Sequence, residues 1–363
     1  MRHRTTKNQT LTWLWTALAV LIGTVGCSEA QIEEGAEGDG SAEPAGERVV
    51  NVYSHRHYPA DVELMERFTE ETGIEVNMVT ASADELITRL ENEGEASPAD
   101  VLITVDAGRL HRAKTRDLLQ PVDSEVLREN VPEHLRDRDG TWFGLTRRAR
   151  VIVYHRERVD SSGLSTYEAL AEPAWDDRVL IRSSSNVYNQ SLLASLIAHL
   201  GAVAGVAWGA GIVLNMARPP RGGDTDQIKA VVAGAGDVAV VNTYYVARLA
   251  TSEDPAEREI AEQVGVFFPN QDGRGAHVNV SGAGVTRSAD HVEEATLLLE
   301  FLTSDEAQRV FAEANQEYPV KPGVAWSETL REWGEFEADT LDLTRLGELN
   351  DEAVRIFDRV GWR

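Results

Sequence analysis

The residues best suited to chemistry in this sequence are tyrosines placed where strands end. The run 236–245 (GDVAVVNTYY) reads as a short apolar strand closing on Tyr244 and Tyr245. In open α/β sheets, ligand groups gather beyond the carboxyl ends of the strands. Neighbours on a strand point to opposite faces, so both phenols reach one target only where the strand has turned. The segment 53–58 (YSHRHY) closes the first strand with His57 and Tyr58 as candidate ligands and Arg56 as a nearby charge. The segment 183–190 (SSSNVYNQ) sets Ser184 and Tyr188 at the start of a helix, where hydroxyls and free amides suit an anion. A free phenol ionises near pH ~10, but a bound cation stabilises the phenolate. Phenolate is a hard anionic oxygen and a known iron ligand. Three phenolates balance a trivalent cation, and a fourth leaves one negative charge for an arginine to offset. Softer metals call for cysteine or clustered histidine. Cys27 is the only cysteine, and the nine histidines include no pair at H-x-x-x-H spacing. The expected cargo is therefore ferric iron.

The elements that carry these residues alternate. A strand at 48–55 leads into a helix from Pro59, with Leu64, Met65 and Phe68 on one face and Gly73 as its cap. Strands at 74–80 and 99–104 flank a helix at 84–93 that turns Leu86, Ile87 and Leu90 inward. This β-α-β-α-β order predicts a parallel sheet covered by helices. The segment 142–154, carrying Arg147, Arg148 and Arg150, reads as extended chain crossing into a second lobe; 277–285 (HVNVSGAGV) reads as the return. Between them lie strands at 178–182, 237–243 and 264–269 and helices at 188–200 and 225–233. The expected fold is thus α/β, two lobes joined by two hinge crossings, with the ligand cleft between them. Lobe 1 is 48–146 plus 278–322, lobe 2 is 147–277, and an acidic helical tail (323–363) packs on lobe 2. No P-loop, no G-x-S-x-G and no cysteine nucleophile is present, so no enzyme chemistry is expected.

With 363 residues there is room for two domains, and a net charge of −25 argues against nucleic acid as a partner. At the N-terminus, Arg2, Arg4 and Lys7 precede an apolar run from Leu11 to Val25, as in an export signal. Thr24-Val25-Gly26-Cys27 resembles a lipoprotein lipobox. Residues 1–26 are expected to be a removed signal, Cys27 the lipid-bearing residue, and 27–47 an acidic, Gly- and Ser-rich tether. The protein is then exported and held at a membrane, periplasmic or at the cell surface.

Several segments together resemble the ferric-iron-binding proteins of bacterial iron ABC importers, in the tyrosine-rich subgroup of the type II periplasmic binding-protein fold. They are YSHRHY (53–58), ADVLITVDAGRL (99–110), RRARVIVY (147–154), SSSNVYNQSL (183–192), the stretch 218–249 containing NTYY, HVNVSGAGV (277–285) and EAQRVFAEANQEYPV (306–320). The resemblance covers about residues 48 to 322. It implies iron held by Tyr58, Tyr188, Tyr244 and Tyr245, with His57 nearby or ligating. It implies that Arg148 and Arg150 pair with a synergistic anion such as carbonate or offset phenolate charge. A related subgroup carries a glutamate after the third strand, where this chain has Val105. The implied partner is an iron permease, and the receptor itself is expected to be a monomer. A receptor of the same fold for thiamine, a polyamine or an oxyanion is the alternative, ahead of a tyrosinate-iron metalloenzyme.

Overall fold

Residues 48–363 are described by the computed structural model; the signal, Cys27 and the tether lie outside the described residues. The strands, in chain order, are β1 (Val49–Ser54), β2 (Glu75–Thr80), β3 (Val101–Val105), β4 (Phe143–His155), β5 (Val179–Leu180), β6 (Val238–Asn242), β7 (Val264–Phe267), β8 (Val278–Val285) and β9 (Tyr318–Pro319). They run β2-β1-β3-β8-β4-β6-β5 side by side, with β7 and β9 also paired to β4. β1 pairs in parallel with β2 and β3, as the alternating pattern predicts. The centre is antiparallel: β8 lies between β3 and β4 and runs against both.

β4 is the axis of the molecule. Its thirteen residues are buried almost throughout. Its first half pairs with β8 and β9, and its second half with β6 and β7. One long strand therefore belongs to both halves of the sheet, and β8 returns alongside it. The sequence reading of 142–154 and 277–285 as the two crossings agrees with this. Two main apolar clusters pack against the sheet. The larger runs across both halves, from Val50, Val52, Leu64, Phe68, Leu86 and Leu102 to Ile152, Leu192, Val238 and Val240. The second joins Val151, Val153, Ile228, Val231, Ala239, Val241 and Val278.

Local sequence explains the helices that matter most. Pro59–Thr72 buries Leu64, Met65 and Phe68 and ends at Gly73, whose φ of 68° suits a residue without a Cβ. Ala83–Glu93 starts in a reciprocal cap between Ser82 and Glu85. Val187–Leu200 starts at Asn186, whose side chain accepts from the Tyr188 amide. Gly201, at φ 84°, breaks it from a second helix, Ala202–Asn215. The C-terminal segment adds Glu328–Glu332, Thr344–Glu348 and Asn350–Val360. Thr344–Glu348 packs against both Ala107–Thr115, beside β3, and Val187–Leu200, beside β5. The tail therefore touches elements on both sides of the sheet's crossover.

Candidate metal centre

One correction concerns Tyr244 and Tyr245. The strand does not run on to them: β6 stops at Asn242, and Thr243–Ala250 is a helix. The phenols leave the first helical turn, just beyond the carboxyl end of β6. That turn resolves the alternation problem, because successive side chains in a helix diverge by only part of a revolution. The two rings lie together, centroids 4.3 Å apart. Tyr188 reaches them from the first turn of Val187–Leu200, and its Oη is 3.1 Å from Tyr244 Oη. Two oxygens on neighbouring vertices of a small hard cation, each about 2.1 Å from it, stand about 3.0 Å apart. The observed spacing therefore needs little adjustment to hold such an ion.

Tyr58 comes from the other half of the sheet. It is the N-cap of Pro59–Thr72, following β1. Arg248, one turn beyond Tyr244 on its helix, joins the two sides: its guanidinium carbon is 4.2 Å from the Tyr58 ring centre and 5.1 Å from that of Tyr244. Arg148, Arg150 and Arg182 surround Tyr188, at 5.4, 5.7 and 5.6 Å from its ring centre. Four tyrosines from three strand-to-helix junctions thus share one cationic surround. His57 is exposed and stacks beside Tyr58, ring centres 5.9 Å apart. Ser184 lies in the loop before Tyr188, and its carbonyl accepts from Gln190 Nε2.

The arginines differ in how their charge is used. Arg150 is buried and pairs with buried Asp224 at 2.6 Å, and also donates to Asn242 and Asn189. Arg182 shares that same Asp224 at 3.5 Å, so the group carries one surplus positive charge. Arg56 is held between Asp61 and Glu317, both at 2.9 Å, and that buried group carries one surplus negative charge. Arg148 is 3 % exposed, yet both terminal nitrogens lack a hydrogen-bond partner; Asp106 stands 3.7 Å away. A buried guanidinium with idle donors beside the Tyr188 and Tyr244 phenols is a ready receiver for anionic oxygen.

Burial raises the phenol of Tyr244 well above its ordinary value, and the other phenols add to the effect while Arg148 opposes it. Burial likewise raises Tyr245 and Tyr58, with Tyr188 acting on the first and Glu317 on the second. These three are neutral without a cation. His277, buried beneath Arg148 and Arg150, is pushed down to about 3 by burial and by those charges, so it adds no positive charge at neutral pH.

The sequence reading passed over Arg248, Arg182, Asp224 and Asp106. Arg248 is legible as Tyr244 plus four once the segment is read as a helix. Asp106 directly follows Val105, the position compared with a glutamate. Its carboxylate is not free for a ligand: it accepts from Ser191, Asn279 and the Gly108 amide. Its φ of 84° is strained for a residue with a side chain, and these bonds hold it there.

Residues 96–336 match the family model described as bacterial extracellular solute-binding protein. The chain is 52 % identical over 320 residues to "Iron uptake protein A1" of Synechocystis, covering 88 % of this chain and 89 % of that protein. It is 27 % identical over 319 residues to "Major ferric iron-binding protein" of Neisseria meningitidis serogroup B, covering 86 % and 93 %. Among solved structures it is similar to a Trichodesmium protein in complex with iron and citrate, with TM-score 0.85 and 49 % identity over 87 % of this chain and 100 % of that one. It is also similar to a ferric binding protein from Campylobacter jejuni, with TM-score 0.83 and 42 % identity over 86 % and 100 %.

Proposed function

The chain belongs to the bacterial extracellular solute-binding protein family, and from that premise we propose that it is an exported receptor that captures ferric iron between two lobes and passes it to an ABC-type permease. The observation that carries the reading is the convergence of Tyr58, Tyr188, Tyr244 and Tyr245 under Arg148, Arg150, Arg182 and Arg248. Its relatives are named for iron uptake and ferric binding, not for catalysis. The receptor performs no covalent chemistry. It takes the ion as Fe³⁺, the four phenols ionise onto it, and the assembly carries one net negative charge. Arg248 and the surplus charge of the Arg150–Asp224–Arg182 group offset that charge in place.

A synergistic anion fits the two idle nitrogens of Arg148. Carbonate and citrate are both within its chemistry, and citrate accompanies iron in the Trichodesmium structure. Tyr58 and Tyr188 come from opposite halves of the sheet, so a cation that binds both draws the halves together. His57 stands beside Tyr58 and serves as a further ligand on that side. Arg248, lying over both the Tyr58 and the Tyr244 rings, adds a cation–π contact between the same two halves.

Iron binding by this route must release protons. Tyr58, Tyr244 and Tyr245 have raised pKa values and are protonated in the metal-free protein at neutral pH. Acid therefore favours release, and affinity falls about tenfold per pH unit for each phenol that must ionise. Calorimetry in buffers of different ionisation enthalpy will report more than one proton released per iron. Binding that releases no proton and does not weaken toward acid would rule out phenolate ligation.

Export and anchoring follow from Cys27 and the segment before it. In an expressing bacterium, a Cys27→Ser variant is expected in the soluble extracytoplasmic fraction, while the parent stays with membranes. Equal partitioning of the two would remove the lipid anchor from the account.

A further inference from the structure

The helix Ala202–Asn215 (AVAGVAWGAGIVLN) contains no charged residue, in a chain whose net charge is −25. Its inner face packs well. Gly205 and Gly209 approach Ile197, Ile356 and Val360 so closely that an added methyl would touch them, and Trp208 and Ile212 are buried. The opposite face is formed by Val203, Ala207, Ala210 and Leu214, at spacings of four, three and four residues. Among the described residues, Val203 at 87 % and Leu214 at 74 % are the most exposed large hydrophobic side chains. A helix that is apolar all round is normally covered on all sides. Single exposed apolar residues need no explanation, but a four-residue stripe does.

We infer that this stripe is the contact by which two copies of the receptor associate about a two-fold axis. The stripe reads large, small, small, large in either direction. Antiparallel apposition of two such helices sets Val203 of each against Leu214 of the other and lets the alanines meet at the centre. The small central residues allow close approach of the two backbones, as helix pairs require. Beside Val203 lies a groove of about 320 Å³ lined by Ala202, Val203, Val206 and Ile356, with Glu352, Arg355 and Arg359 on its rim. Leu214 stands about 16 Å along the same helix from Val203. The face thus carries a projecting leucine at one end and an apolar groove at the other, the self-complementary pattern of an isologous interface. Charge points the same way. The uncharged stripe is where two acidic copies meet with least repulsion.

The helix is about 21 Å long, and stable interfaces bury roughly 800 Å² per partner. One helix with its rim therefore supports a weak, concentration-dependent dimer in place of the expected monomer. Because repulsion between the acidic bodies is screened by salt, association strengthens as salt rises, opposite to an interface held by ion pairs alone.

The experiment is sedimentation velocity of the purified protein over a range of concentration and salt, with a Val203→Glu/Leu214→Glu variant in parallel. The expected result is a monomer–dimer shift that grows with concentration and salt in the parent and disappears in the variant. Both sites are exposed, so the variant should keep its thermal unfolding and its iron titration. A parent that stays monomeric throughout overturns the inference, as does a dimer that survives the double substitution. A parent that is monomeric alone but floats with phosphatidylglycerol vesicles through this face also overturns it, in favour of a lipid surface.

Discussion

Replacing Tyr244 and Tyr245 together by phenylalanine is expected to abolish tight ferric binding while leaving the fold intact. The substitution removes two oxygens and keeps both rings. The rings account for the packing: they lie 4.3 Å apart, and Tyr244 is almost fully buried. Tyr244 Oη makes one hydrogen bond of note, to Tyr188 Oη, and Tyr188 is only half-buried. Losing a neutral hydrogen bond of this kind costs about 1 kcal/mol. Losing two ligands costs far more in affinity. Even partners that merely orient a metal ligand are worth roughly 10–100-fold in binding, so each deleted phenolate should exceed that. Competition against citrate will read the affinity, and chemical denaturation will read the fold. Retained affinity with an intact fold would place the ion elsewhere.

The largest stability effect is expected at Arg150. Its side chain is 1 % exposed and Asp224 is 0 % exposed. Arg150 Nη1 meets Asp224 at 2.6 Å, and its other donors meet Asn242 and Asn189. Arg150→Ala leaves the Asp224 carboxylate buried beside only Arg182 at 3.5 Å and the Asn242 amide. Removing one partner of such a pair costs about 3–5 kcal/mol, whereas replacing both by apolar side chains is often near neutral. An Arg150→Met/Asp224→Leu variant should therefore recover much of the loss. It should not recover iron affinity, because the Arg150 guanidinium is still missing from beside the Tyr188 ring. An Arg150→Ala protein within about 1 kcal/mol of the parent would show that this pair is not what holds the junction.

The helices on either side of β1 and β2 were legible because their apolar residues recur at helical spacing and their ends carry Gly73 and Ser82. The crossings were legible as apolar segments flanking a self-contained run of elements. The start of the helix at Thr243 was not. Asn, Thr, Tyr, Tyr and Val follow an apolar strand, and four of the five favour extended chain, so local preference continues β6 past its end. Burial of Val246, Ala247 and Leu249 on one face decides for the helix. Arg248 was hidden by the same reading, since on a strand it has no fixed relation to Tyr244. Ala202–Asn215 left no signal because a helix without charged residues, and with Asn215 as its one polar side chain at the very end, has no amphipathic period. Asp106 was masked by its neighbour: the comparison at Val105 drew attention away from the acid one residue on, and only the structure pairs it with Ser191 and Asn279.

The most direct test of the account is a visible absorption titration of the purified protein with ferric citrate. Phenolate bound to ferric iron absorbs visible light by charge transfer, which neither free phenol nor ferric citrate reproduces. The account predicts a band that grows to one equivalent of iron and then stops, and that is absent in the Tyr244→Phe/Tyr245→Phe variant. No band and no rise in thermal stability on adding iron would contradict it.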